Sequence, residues 1–415
     1  MSHRLLILGS LDEFVQLVKR AKERDYYVVV CDGYEHGPAK LLADSTYNIK
    51  VNNVEDICSV CFNEKIDGII GSFSDVLFEE ITRIADMTSL KWYVKPSSLT
   101  FYRNKYEAKS LLKKIGVRVP KFTILSKDFT DDMLFGYNFP LVIKPINGYG
   151  SKGIQVVSSI LEIHNKFDEV ATRFYSDKIL VEEYINGHEY NMMAWVIDGE
   201  IYVISIADRE KNPQKLNKVP LVNRIVYPSK RTYQVFNHAK DILKRFVAKT
   251  GQKEGPISMQ FFSDNKEITV CEIAGRLLGY EHELVTYCSG LDLENLLLDY
   301  VYEPDNVKKT LQHHDPFFNK NCAGLYYVAD HGEIVTDLSV AKKLQNESHV
   351  IDSMIYYKEG ETVNNYSYRP YFARYYICAE NRNMLDTITK YFFSEMKVSS
   401  RNKENIIEPL FLEGE

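Results

Sequence analysis

With 415 residues, 45% of them hydrophobic and 26% charged, the chain is too long for one ordinary domain and too apolar for a disordered one. Its 51 basic and 57 acidic side chains leave a formal charge of -6, which argues against general binding to a nucleic-acid backbone. The opening MSHRLLILGS has too short an apolar stretch for a leader, and runs such as YYVVVC fall far short of a membrane span; a cytoplasmic protein without nucleic-acid or membrane partners is expected.

In chain order, RLLILG, a helix over 11–24, YYVVVCD, IDGIIGS and a helix over 75–87 follow βαβ grammar and predict a small doubly wound sheet. The first turn, Gly9, Ser10, Leu11 and Asp12, lacks the glycines of a dinucleotide fingerprint. Asp32 ends the second strand, where capping a turn competes with holding a polar ligand. Seven cysteines without framework spacing predict free thiols, and Cys58 and Cys61 read as a buried helical face rather than as half of a metal site.

From 97 to 119 the apolar residues recur at helical spacing, predicting a linker helix that stops at Gly116 before Pro120. Strands and turns then alternate to about 203 as an antiparallel lobe, with Asp198–Gly199 suited to a type I′ hairpin. A polar stretch over 208–231 is followed by a helix over 233–250 and by a hairpin of SMQFFS and EITVCEI. After a helix over 293–302, strands and a helix beyond 321 predict a small α+β appendage.

Three clusters carry chemistry. In PLVIKPINGYGSKGIQVV, Lys144 lies in an apolar strand and needs an anionic partner if it is buried, for which a phosphate would serve. Gly148, Gly150 and Gly153 let backbone N–H groups approach phosphate oxygens, with Ser151 and Lys152 as added donors, although a plain glycine hairpin fits as well. LVEEYINGHE can offer backbone groups to an adenine edge and carboxylates to ribose hydroxyls, or be a solvated edge strand. Gln260 and Glu272 fall on neighbouring strands, where Glu272 can supply a Mg²⁺ ligand. Arg276 offers a fork for a phosphoryl group or a carboxylate, and the alternative is a surface ion pair.

In this order and at these separations, the clusters resemble the ATP-grasp superfamily from about residue 4 to 398. The resemblance implies an α/β and α+β multi-domain fold: a Rossmann-like pre-ATP-grasp domain over 1–96, a two-lobed ATP-grasp module over 97–310 with its small antiparallel lobe at about 121–190, and a C-terminal α+β cap over 311–415. It implies that Lys105 and Lys144 are the two phosphate-binding lysines, that 147–153 is the flap over the phosphates, and that Glu182, Glu183, Tyr184 and Ile185 form the adenine hinge. There Glu183 and Ile185 would act through their backbone and Glu182 through its side chain, while Glu189 would contact the ribose. Gln260 and Glu272 match the metal-ligand strands, but the family pattern Glu-x-Asn-Pro-Arg reads Glu272-Ile273-Ala274-Gly275-Arg276 here, so one metal ligand is missing at Ala274.

The implied cofactors are ATP and Mg²⁺, or Mn²⁺ in its place. The implied reaction is a carboxylate-amine ligation through an acyl phosphate, stabilised by Arg276 and Lys144, with small-molecule acid and amine partners and a homodimer as the common assembly. Two alternatives stay open: a bicarbonate-dependent carboxylase of the same fold, and an ATP-binding protein without catalysis, motivated by Ala274 and Gln260. The segments 208–231, with Arg224 and Lys230, and 280–283 are expected to shape the substrate pocket. His282 would either orient substrate or satisfy a local hydrogen bond.

Overall fold

The computed structural model describes residues 2–148, 153–173, 176–212, 222–264, 267–364, 369 and 371–412. Strands β1 (Arg4–Leu8), β2 (Tyr27–Cys31), β3 (Ser45–Tyr47) and β4 (Gly68–Ile70) form a parallel sheet in the order β3-β2-β1-β4. Leu6, Val29 and Ile69 in its middle are fully buried, the near-continuous apolar pattern of a parallel sheet covered by helices. The βαβ expectation is met, with the three-residue β3 as an unforeseen addition. Cys58 and Cys61 are buried on the helix Val54–Asn63. Asp32 accepts hydrogen bonds from Ser10 Oγ (2.9 Å) and the Tyr34 N–H (3.3 Å), the turn role.

The single linker helix expected over 97–119 is two helices, Thr100–Arg103 and Lys105–Lys114. The break is Asn104, whose backbone is extended (φ -92°, ψ 110°) and whose side chain accepts from the Tyr106 and Glu107 N–H groups. Capping satisfies donors that an unbroken helix would bond internally, so the periodicity survives while the helix restarts. The restart puts Lys105 at the first position of a new helix. Gly116, at φ +73°, follows the helix end.

The small lobe comprises β5 (Phe122–Ser126), β6 (Leu141–Pro145), β7 (Gln155–Val157) and β8 (Lys178–Glu183), antiparallel in the order β5-β8-β6-β7. Its core joins Ile143, Val157 and Val181 to Ile163 and Phe167 of the helix Ile160–Thr172. The remaining strands are β9 (His188–Ile197), β10 (Glu200–Lys211), β11 (Val222–Tyr227), β12 (Glu254–Ser263), β13 (Ile268–Ala274), β14 (Asn321–Tyr327), β15 (Val335–Asp337), β16 (Val350–Ile355), β17 (Ala373–Ala379) and β18 (Ser399–Ser400). Eight of them form one sheet, β13-β12-β9-β10-β11-β14-β17-β16, so the strands of the last segment extend the sheet that carries Gln260 and Glu272. Asp198 (φ 54°) and Gly199 (φ 80°) make the left-handed turn of the β9–β10 hairpin.

In the polar stretch over 208–231, the end of β10 pairs with β11, and residues 213–221 lie outside the described residues. Its buried polar groups are matched to one another: Arg224 pairs with Glu210 (3.2 Å) and Asp386 (2.7 Å), so polarity does not keep the segment at the surface. The expectation of free thiols throughout fails. Register sets Cys322 of β14 opposite Cys378 of β17 and the two form a disulfide, leaving Cys31, Cys58, Cys61, Cys271 and Cys288 free. Among the described residues, no helix is long and apolar enough to cross a membrane.

Candidate active site

A cleft opens between the small lobe and the β12–β13 hairpin. Its walls include the apolar Pro120, Val142, Ile154, Val156 and Phe262, with Glu183, Tyr184 and Ile185. The same cleft gathers Lys105, Lys144, Arg209 and Lys211 with Glu182, Glu189, Gln260 and Glu272, and Lys211 Nζ lies over the Phe262 ring (5.4 Å to its centroid). The local sequences explain this. Lys144 sits on β6 across from Leu180 of β8, so alternation in a half-buried sheet turns it to the cleft, where it is only 5% exposed. Gln260 and Glu272 are direct partners across the β12–β13 ladder and share one face.

Each charged group already has a partner. Lys144 Nζ lies 2.7 Å from Glu182 Oε2, so the anion that its burial required is a protein carboxylate. Burial works against the Lys144 charge, but Glu182 outweighs it and holds the ammonium well above the usual lysine range. Lys105 Nζ donates to the Gly148 carbonyl (2.7 Å) and to Glu272 Oε1 (3.0 Å). Burial raises the Glu272 carboxyl, yet Lys105 and then Lys144 bring it below its ordinary value and keep it ionised. Glu189 is held by Arg209 (2.7 Å) and by Lys211, which together overcome its burial and lower its carboxyl.

Arg276 departs from expectation. Its Nε and Nη2 clasp Asp75 Oδ1 (2.6 Å) and Oδ2 (2.8 Å), and its Nη1 donates to the Leu277 carbonyl (3.1 Å), so the fork is engaged by the N-terminal sheet domain. Gly148 lines the cleft, and Gly153, at φ +80°, lies where a Cβ would come within 2.9 Å of Pro145. Gly150 and Ser151, along with Lys152, lie outside the described residues.

The residues expected around the substrate pocket divide. Arg224 is tied to Glu210 and Asp386, and Lys230 to Asp386 (3.3 Å). His282 is fully buried, 3.1 Å from Glu294 and 3.5 Å from Glu283, with its ring stacked on Phe73. Burial lowers it, but the carboxylates push it up to about 9, a structural imidazolium. Beside it Glu281 accepts from Asn191 Nδ2 (2.8 and 2.9 Å) and from Tyr227 Oη (2.9 Å).

Four residues escaped the sequence reading: Asp75, Lys109, Arg209 and Lys211. Continuing the β10 alternation beyond Asp208 would have set Arg209 and Lys211 on one face, and helical spacing sets Lys109 one turn beyond Lys105. Asp75 had no local signal.

Apolar walls at the end of β8, together with four cationic side chains and an ionised carboxylate, suit a purine nucleotide with its polyphosphate. Glu272 and Gln260 provide two oxygens for a divalent cation, a number that Mg²⁺ accepts when phosphates and waters complete its shell.

Residues 137–282 match the ATP-grasp domain family. A formate-dependent phosphoribosylglycinamide formyltransferase of Prochlorococcus marinus (strain NATL1A) is 24% identical over 286 residues, 66% of this chain and 70% of that one. The crystal structure of the L-amino acid ligase from Bacillus licheniformis superposes with a TM-score of 0.82 at 16% identity, covering 97% of this chain and 99% of that chain. The biotin carboxylase domain of the Hydrogenobacter thermophilus 2-oxoglutarate carboxylase, solved with MgADP and bicarbonate, superposes with a TM-score of 0.74 at 14% identity over 96% and 91% of the two chains. At these identities the superpositions speak for the fold.

Proposed function

Since this chain carries an ATP-grasp domain, we propose that it is an ATP-dependent ligase that phosphorylates a carboxylate and joins it to an amine, releasing ADP and phosphate. The observation that carries the proposal is the single cleft in which apolar walls meet Lys105, Lys144 and the ionised Glu272. In this reading Val142, Val156 and Phe262 enclose the adenine and the backbone of Glu183 and Ile185 meets its edge. Glu182 orders the hinge end of the cleft, and Glu189 faces the ribose hydroxyls. Lys105, Lys144 and the flap that includes Gly148 and Gly153 hold the phosphates.

Gln260 and Glu272 would hold Mg²⁺, or Mn²⁺, which when bound neutralises charge on the phosphates. For Arg276 to meet the transferred group, it must give up one of its bonds to Asp75. Enclosure of the cleft excludes water from an activated acyl group, which would otherwise hydrolyse. The division into 1–96, 97–310 and 311–415, a cytoplasmic location and a homodimer belong to the same proposal.

The experiment is ADP release from MgATP with amino acids and other carboxylates, singly and in pairs with amines, with bicarbonate included. Release that needs an acid and an amine together, with a condensed product by mass spectrometry, is the expected result. Release that needs bicarbonate instead would transfer the chain to the carboxylase reading, and nucleotide binding without turnover would favour the non-catalytic one.

A further inference from the structure

Glu182 is shared. One of its oxygens faces Lys144 at 2.7 Å, and the other faces Lys109 at 3.2 Å. Lys109 is 2% exposed, and its Nζ also donates to the Cys271 carbonyl at 3.0 Å. Unlike Lys144 and Glu182 it does not line the nucleotide cleft; it stands behind them and borders a smaller cavity with Tyr102, Leu112 and Ile273. Burying a second ammonium there is costly and helps packing little, since an apolar side chain of the same length would fill the space. Its effect is on charge. Burial lowers the Lys109 ammonium and Glu182 supports it; with both lysines protonated, two ammonium groups around one carboxylate leave a surplus of one positive charge, whereas Lys144 and Glu182 alone would form a neutral pair.

We propose that Lys109 is a positioning residue for nucleotide binding: by sharing Glu182 with Lys144, it keeps Lys144 a net cation toward the phosphates. The inference rests on the ligase reading only in taking MgATP as the occupant of the cleft. It also explains why a phosphate-binding lysine tolerates a carboxylate 2.7 Å away. The same contacts tie the helix Lys105–Lys114 to β8 and β13, so Lys109 fixes the distance between the hinge and the metal-ligand strand.

The test is MgATP affinity by calorimetry for the wild type, Lys109→Met, Glu182→Gln and the double variant, with folding monitored by circular dichroism. Lys109→Met is expected to weaken binding by about tenfold or more, the scale of losing one unit charge in a partly screened site. The double variant is expected to recover most of that loss, because neutralising Glu182 frees Lys144 again; a merely structural lysine would give additive losses.

Unchanged affinity in Lys109→Met, or a double variant weaker than Lys109→Met, overturns the inference. If Lys109→Met does not fold, the comparison moves to the Glu182→Gln background. There, removing Lys109 lowers the charge beside the phosphates by the same one unit and is expected to weaken binding by about tenfold; unchanged affinity overturns the inference. A wild type that binds no MgATP removes the ligase reading and this inference with it, whereas wild-type binding with unaffected variants removes this one alone.

Discussion

Asp75 and Arg276 stand 201 positions apart yet form a two-pronged ion pair at 2.6 and 2.8 Å, joining the first helical position of Asp75–Thr88 to the chain leaving β13. The pair clamps the N-terminal sheet domain onto the strand that carries Glu272. Asp75 is 8% exposed; burial raises its carboxyl, but Arg276 more than reverses this and holds it at about 2.

Removing one partner from such a pair leaves a buried charge unmatched. Asp75→Asn is expected to cost about 3–5 kcal/mol in denaturant unfolding, a loss that an ordinary exposed pair would not give. The same pair predicts acid sensitivity. The unfolded carboxyl takes up its proton near 3.8 and the folded one only near 2, so the stabilisation is complete above 3.8 and disappears as pH falls through that window. A wild type that loses no more stability than Asp75→Asn between pH 5 and about 2.5 would refute the assignment.

Glu13 predicts the opposite slope. It is 6% exposed, its Oε2 has no hydrogen-bond partner, and burial, with Asp12 and Glu283 adding to it against His282, pushes the carboxyl up to about 8. The folded chain therefore keeps a proton that the unfolded chain releases above 4.5, and stability from this group declines as pH rises from 4.5 to 8. Glu13→Gln keeps the shape and cannot ionise. Thermal melts should find it more stable than the wild type at pH 8 and little different at pH 5, and equal melting temperatures at pH 8 would count against a proton held on Glu13.

If Gln260 and Glu272 hold the metal as proposed, their two oxygens predict a weak hold on Mg²⁺ in the absence of nucleotide. Gln260→Glu adds a carboxylate directly across from Glu272 and is expected to lower the Mg²⁺ concentration that half-saturates turnover, whereas Glu272→Gln should raise it at least about tenfold. A magnesium titration of ADP release decides this. Similar half-saturation in all three proteins would place the metal elsewhere.

What could be read in advance follows from range. Lys144, Glu272 and the glycines around 148–153 lie within short segments whose alternation and turn chemistry are local, and such signals survive without a partner strand. Asn104 was misread because a cap interrupts a helix without disturbing its apolar period. β11 gave no local signal, because Asn223 and Arg224 are buried, at 0% and 1% exposure, by partners that only the fold supplies. Asp75 and Lys109 take their meaning from contacts 201 and 73 residues away, which no local pattern encodes.

Cys322 and Cys378 belong to the same class of long-range fact, and they give the last prediction. Their bond closes a sequence separation of 56 residues between the adjacent strands β14 and β17 of the eight-stranded sheet. Loop-closure entropy alone assigns such a bond about 4 kcal/mol. Thiol counting on the denatured, unreduced chain should find five reactive cysteines, the five that are free, and seven after reduction, the number in the sequence. Reduction, or Cys322→Ser with Cys378→Ser, should lower the unfolding midpoint without changing MgATP affinity, because neither cysteine lines the nucleotide cleft. Seven reactive thiols before reduction would mean that the strands pair without the bond, as a glutathione-rich compartment would favour.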